Sequence, residues 1–592
     1  MKTYTFFNKT VLLLSLASFA ACSSDEDAEQ VQNDNNNSTQ PFKQLVFSAS
    51  IQDDESTRAA LSGNNMVWEK DEQITVFNSE SKTTTLSIKS GDAGKTTATF
   101  SNTTTLPDDF VQASGCYYSI TPYDATKSSI SGGVVTSSIP DIQTVTSGYA
   151  YDKSALQMIA CADVSKREFA FKNVAALAKF TIKNNDGTNK IKYIKIVAHN
   201  TANKISGGYT ATLTLGEDPV ITNTSTAYYK NSVELKNIAS TKDEKEYYIA
   251  LLPGTLDQGF TIYFETEFTN NASGKGQSIA QFVKKTSYKF ERSKVYDFGT
   301  FDASALKYRD NVVDLGLPSG TLWTTKNIGG YSNGKDALFT TYVYDYGQYY
   351  AWGEDFGYEE STQQTHNNND APVANWTSTP TTKTKYNSGY IVGSKDWTGL
   401  TSKDRYRWDT YKWCTRYSLT SDSDPSDSEV IKYKSTGLTL SKYDDVAWQK
   451  SGGKYCMPTK VQMEELLNTT YMNYKASSEN AEKYSTSVSK YGVKFASKRY
   501  SSRFIWLSAG GAIYGTGNFI TDDLQYDDSN IYYWSRTLTS SSRHYAHCID
   551  WPYTTNEDTK THISSDRRYS GRAIRAVVTN EAIAPTVGDP DE

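Results

Sequence analysis

The chain has 592 residues, enough for three or four domains of ordinary size, with 37% hydrophobic residues and a formal net charge of -6. Nothing in it is basic enough to track phosphates, so no nucleic-acid partner is expected. Tyrosine is abundant (43) while methionine (6) and histidine (5) are scarce, a usage that favours strands and predicts a mostly β, extracytoplasmic protein. The cysteines, Cys22, Cys116, Cys161, Cys414, Cys456 and Cys548, form no C-x-x-C pair that would suggest zinc or redox chemistry, and their spacing assigns no disulfide.

In chain order, Lys2 and Lys9 flank a short start, followed by the apolar run TVLLLSLASFAA. This run is too short to span a bilayer as a mature helix and predicts a secretory signal peptide over 1–21. Ala20 and Ala21 before Cys22 resemble a bacterial lipobox, with Phe19 where that motif usually has an aliphatic residue. The resemblance implies cleavage before Cys22, acylation of its thiol and new amine, and a tether worth roughly 0.8 kcal/mol per buried CH₂. Residues 22–41, including SSDEDAEQVQNDNNNSTQP, have no apolar pattern and read as a solvated linker. Their acidic cluster resembles the export signal of Bacteroidetes lipoproteins, which implies the outer face of the cell outer membrane.

KQLVFSASI alternates Leu45, Phe47, Ala49 and Ile51 on one face, as a half-buried strand does. The series TRAAL, VWEKDEQITVF, CYYSITPYD, IPDIQ, YDKSALQMIA and FAFKNVAALAKFTIKN resembles, in order and spacing, the N-terminal domain of fimbrillin-like proteins. YIKIVAHNTANKISGGYTATL, EYYIALLPGTLDQGFTIYFET and YKFERSKVYDFGTF resemble that family's second domain. The family implies two transthyretin-like β-sandwiches, over 42–183 and 184–302, used as pilus subunits or as stalks of surface lipoproteins. KSGDAGKTTATF carries Gly94, Lys95 and Thr96 in phosphate-loop order, but Lys89 stands where the first glycine belongs and strand-like segments flank it, so it reads as a hairpin.

Of 11 tryptophans only Trp68 precedes residue 303, so a separate head begins there. NVVDLGLPSGTLWTTKNIGG, DYGQYYAWGE, LTLSKYDDVAWQKSGGKYCMPTKVQMEELL, RFIWLSAGG, IYYWSR and SGRAIRAVV resemble the Fibrobacter succinogenes major paralogous (FISUMP) domain, giving a head over 308–580 and a polar tail over 581–592. That family is similar to C-type lectin-like, α+β domains. In MPTKVQMEELL, Thr459 is an N-cap with Gln462 in the capping-box position, and Met463, Leu466 and Leu467 form an apolar stripe, so one helix is expected. Trp323, Trp352, Trp506 and Trp534 lie in the family motifs and are expected in the core. Lys326 stands where the family often has cysteine. The stretch from 357 to 410 reads as an insertion without a legible role.

Residues 510–530, between RFIWLSA and YYWSR, resemble the long irregular loop that C-type lectin-like domains carry after a WL strand, and that resemblance makes them the expected ligand surface. Tyr514, Tyr526, Trp551 and Tyr553 offer flat faces for stacking on sugar or packing into a protein, with Asp522, Asp523 and Asn556 as polar partners. Lectin-type calcium motifs are absent, and SDSDPSDSE at 421–429 has Asp427 where a calcium loop needs glycine, so no metal or other cofactor is expected. His544 and His547 sit in a strand-like segment, which points them to opposite faces, and no G-x-S-x-G or H-E-x-x-H occurs. No catalytic residue is assigned, and an enzyme is the less favoured class. The expected function is an adhesin or ligand-binding lipoprotein that presents its head to glycans or surface proteins. The alternative is a terminal fimbrial subunit: fimbrillins of the polymerising type are cut after an arginine at the place of Arg58, before Ala59, which opens a groove for another subunit's strand. The final EAIAPTVGDPDE lacks the alternation a donated strand needs, so the chain is expected to accept a strand rather than donate one.

Overall fold

The computed structural model describes residues 44–52, 67–78, 81–107, 110, 115–186, 190–268, 277–306, 311–332, 335–350, 352–353, 439–440, 442, 445–474, 481–513, 524–525, 530–540, 545–551, 562–567 and 571–578. Strands dominate throughout, so the protein is mostly β.

The first β region is a closed barrel. Its order is Val46–Ile51, Glu168–Asn173, Met158–Asp163, Cys116–Thr121, Gln73–Phe77, Thr83–Ile88 and Thr97–Ser101, which returns to Val46–Ile51. The sequence predicts a two-sheet sandwich here. The first strand makes the difference, because it bonds on both sides: parallel to Glu168–Asn173 (Ala49↔Phe169) and antiparallel to Thr97–Ser101 (Ala49↔Ala98). With both edges used, the ring has no free edge to protect. Leu45, Phe47 and Ala49 point inward to a core with Trp68, Phe100, Tyr117, Phe169 and Phe171. The phosphate-loop look-alike is a hairpin: Ile88 pairs with Phe100, Gly91 and Gly94 take positive φ, and Asp92 accepts from Thr99 N at 2.9 Å.

The second region packs two sheets around one core. Lys245–Leu251, Ala176–Lys183 and Val295–Asp302 form one; Ile279–Lys284, Phe260–Glu265, Tyr193–Ala198, Ser232–Lys236 and Ile142–Thr144 form the other. Phe180, Ile182, Ile194, Ile196, Val233, Leu235, Ile262 and Phe264 fill the space between them. Ala176–Lys183 is the middle strand of its sheet, so hydrogen bonding runs across the division expected after residue 183. Val134–Ile139 likewise pairs with Gly207–Thr212. The two regions are therefore stitched by backbone ladders rather than joined by a linker.

The C-terminal region builds one sheet from Val312–Asp314, Leu322–Ser332, Arg575–Val578 and Tyr455–Cys456, with Lys335–Phe339 paired to Leu322–Ser332. A second contains Met472–Asn473, Glu482–Ser485, Val488–Ser497 and Phe504–Ser508; a third contains Ile531–Leu538, Tyr545–Trp551 and His562–Arg567. The helix expected after Thr459 is present at Lys460–Leu466, with both bonds of its capping box formed and Met463 and Leu466 buried. A second, Val446–Ser451, escapes sequence reading because six residues show no period; the Asp445 carboxylate caps it and Gly452 ends it in the left-handed region. Trp323, Trp352, Trp506 and Trp534 are all buried, as expected from their motifs.

Candidate functional site

Most of the predicted site lies outside the described residues: Cys22, Arg58, Ala59, Tyr514, Asp522, Asp523, Tyr526, Tyr553 and Asn556, as do His544, Cys414 and the 421–429 loop. Trp551 is placed by its backbone alone, as the last residue of its strand, opposite Ile531. The feet of the predicted loop do come together. Ala512–Ile513 pairs with Leu524–Gln525, and Gly511 N donates to Asn530 O at 3.2 Å. Ile531 follows Asn530 and pairs with Trp551, so both candidate segments leave from one end of the head. His547 lies in a strand, as its alternation implies, and burial lowers its pKa. Among the described residues no group of three His, Cys, Asp or Glu side chains is gathered as for a metal.

The feature that sequence reasoning missed is the junction between the second sandwich and the head. Along Tyr193–Ala198, Ile194 and Ile196 face the sandwich core, which turns Lys195 and Val197 to the opposite face. In a free-standing sandwich that face meets water. Here it is covered by the head: Val197, Tyr263 and Ile279 join one head core and Phe268 the other. Charged groups from both sides are enclosed with them. Lys195, Glu265, Asp314 and Arg503 are 1%, 0%, 0% and 2% exposed. Lys195 Nζ contacts Asp314 Oδ2 and lies 3.7 Å from Glu265 Oε1, while Arg503 Nη1 lies 3.1 Å from Glu265 Oε2 and 3.5 Å from Asp314 Oδ2. Two cations face two anions, and each sandwich charge pairs with a head charge.

Neutral groups complete the cage. Gln277 Nε2 donates to Glu265 Oε2 at 3.4 Å, and Asp314 N donates to Gln277 Oε1 at 2.9 Å. Gly316 N donates to Asp314 Oδ1 at 2.7 Å. The Arg503 guanidinium lies 3.9 Å from the centre of the Tyr500 ring, and Tyr500 Oη donates to the buried Glu234. Gly316 has φ +68°, and a Cβ there would meet Tyr500 Cε2 at 2.5 Å, so glycine is required by both backbone and space. Burial, then the like charge of Asp314, push Glu265 well above the usual carboxylate range. Burial also disfavours the charged form of Asp314, but Lys195 and Arg503 outweigh it and hold Asp314 below that range. The sequence signal is a lone charge inside an apolar strand, as in YIKIVA, IYFE and NVVDLGL.

Beside the cage, the turn Leu317–Gly320 is pinned from both sides. Asn231 Nδ2 donates to Pro318 O at 2.8 Å and Tyr263 Oη to Gly320 O at 3.1 Å, while Ser319 N donates to Glu465 Oε1 at 2.8 Å. Burial pushes the Glu465 carboxyl up to about 7, although the Ser319 donors oppose it. A raised folded-state pKa means that the protonated form suits the folded protein. The contribution is complete below about pH 4 and is lost as pH rises through about 7. Between about pH 5 and about pH 8, Glu465→Gln should lose less stability than the wild type in denaturant titrations. Parallel pH dependences in the two proteins would refute this.

No protein-family model and no curated protein matches the chain. Among solved structures it is similar to a candidate cell adhesion protein from Bacteroides ovatus, at 13% identity and TM-score 0.28 over 46% of this chain and 96% of that one. A candidate cell adhesion protein from Bacteroides uniformis is similar at 16% identity and TM-score 0.27, over 45% and 96%. The tip fimbrial protein Mfa3 from Porphyromonas gingivalis, with C-terminal truncation, is similar at 10% identity and TM-score 0.19, over 43% and 93%.

Proposed function

We propose that this chain is an outer-membrane surface lipoprotein in which the lipid on Cys22 and two β domains hold a FISUMP-like head for binding a glycan or a surface protein. The observation that carries the reading is the junction. A head held by a cage of buried, mutually paired charges keeps one orientation on its support, which suits presentation of a binding surface more than tumbling on a linker. Buried ion pairs add little net stability compared with apolar packing, but they penalise every arrangement that separates them.

The anchor is tested by metabolic labelling with a fatty-acid analogue, which should mark the wild type and not Cys22→Ala. Equal labelling of both would remove the tether from the account. A second reading, the terminal subunit of a fimbria, is favoured by the barrel's first strand, which is held between two others upstream of Arg58 and could be exchanged for a neighbour's. The N-terminus of protein taken from cells separates the two: acylated Cys22 supports the standalone lipoprotein, and Ala59 supports the fimbrial subunit.

A further inference from the structure

Lys195 and Asp314 are 119 positions apart and lie on opposite sides of the junction, yet the amine of one touches the carboxyl of the other in a closed pocket. We propose that they condense into an intramolecular isopeptide bond that joins the sandwich to the head covalently, with Glu265 carrying the protons. The bond is independent of what the head binds, so it stands or falls apart from the adhesin reading.

Each part of the reaction has a group in place. Glu265 Oε1 is buried, has no hydrogen-bond partner and lies 3.7 Å from Lys195 Nζ, so it can accept the ammonium proton and leave a neutral amine. Glu265 and Asp314 both face Lys195 Nζ and Arg503 Nη1, and the proton passes within this enclosed cage from Glu265 to the Asp314 carboxylate. The amine then attacks Asp314 Cγ. Charge develops on Oδ1, which the Gly316 N–H holds at 2.7 Å. Glu265 takes a proton from the new C–N nitrogen and delivers it to Oδ2, which departs as water. Overall, an ammonium and a carboxylate give an amide and one water, with no oxidant or other co-reactant. Glu265 ends as a carboxylate beside Arg503 Nη1, 3.1 Å away.

The surroundings favour the product. Burial raises the proton affinity of Glu265, as a proton carrier requires, and both reacting groups are fixed at contact, which removes the entropic part of the barrier. Condensation removes one buried cation and one buried anion, leaving a single Arg503–Glu265 pair to be compensated. A load pulling on the head would then pass through a covalent bond rather than through an ion pair.

The test is peptide mapping of the full chain purified from the cells that make it, denatured and digested with trypsin. The expected result is a branched peptide joining 193–204 to 310–326, uncut after Lys195 and lighter than the sum of its parts by one water. Lys195→Met should abolish the branched peptide, and Glu265→Gln should leave the linear peptides predominant. On denaturing gels the closed wild-type chain should run ahead of both variants. Cleavage after Lys195 in the wild type, with the two segments recovered separately, would overturn the bond whether or not either variant folds. A branched peptide persisting in Glu265→Gln would overturn the role given to Glu265.

Discussion

Arg503→Met is expected to lower the melting temperature more than any surface substitution. The side chain packs against Tyr500 and Tyr193 and faces Glu265 and Asp314, all within the junction. Methionine keeps much of the volume but removes the charge, and Glu265 is left buried without its nearest cation. Breaking a buried pair in this way costs about 3–5 kcal/mol. For a domain of this size that corresponds to a fall on the order of 10 °C in scanning calorimetry. Lys95→Met is the control: Lys95 pairs with Asp92 at 2.7 Å with its own side chain 58% exposed, where solvent screens the charges. If Arg503→Met melted within about 2 °C of the wild type, as the control should, the junction would not be an enclosed charge cage.

Loss of the first strand is expected to have a still larger local effect. Leu45, Phe47 and Ala49 are each 0% exposed, and the strand holds the backbone groups of two neighbours. Truncating one buried Leu or Phe alone costs about 2–5 kcal/mol, so removal of residues 42–58 exceeds what a marginally stable barrel tolerates. The shortened protein should lose the barrel's cooperative transition and aggregate through its exposed strand edges. Adding the peptide KQLVFSASIQ should restore that transition, because an extended segment with alternating apolar residues refills the groove. An unchanged transition without the strand, or no recovery with the peptide, would remove the basis for strand exchange.

Local patterns made much of the fold legible. KQLVFSASI alternates cleanly because only one of its faces meets a core, and the capping box at Thr459 and Gln462 is a four-residue signal that needs no tertiary context. The barrel's closure is not local: it depends on residues 48–51 meeting 168–171, and no pattern in either segment reveals a parallel partner. The junction was hidden for a related reason. Lys195, Glu265, Asp314 and Arg503 come from four distant segments, and each looks like an ordinary surface charge until the head covers its sheet face. The predicted ligand loop rests on resemblance alone: its feet, Ala512–Ile513 and Leu524–Gln525, are described, whereas of the candidate ligand residues only the backbone of Trp551 is.

Binding of a partner by a head fixed to its stalk is the expected activity. It is tested most directly by displaying the full mature chain multivalently on a broad glycan and matrix-protein array, with and without a chelator, since multivalency lifts millimolar contacts into a measurable range. Binding should survive chelation and be abolished by Trp551→Ala or Tyr526→Ala at an unchanged melting temperature. Binding lost on chelation would contradict the metal-free site, and no binding alongside turnover of a glycoside or peptide library would contradict the adhesin itself.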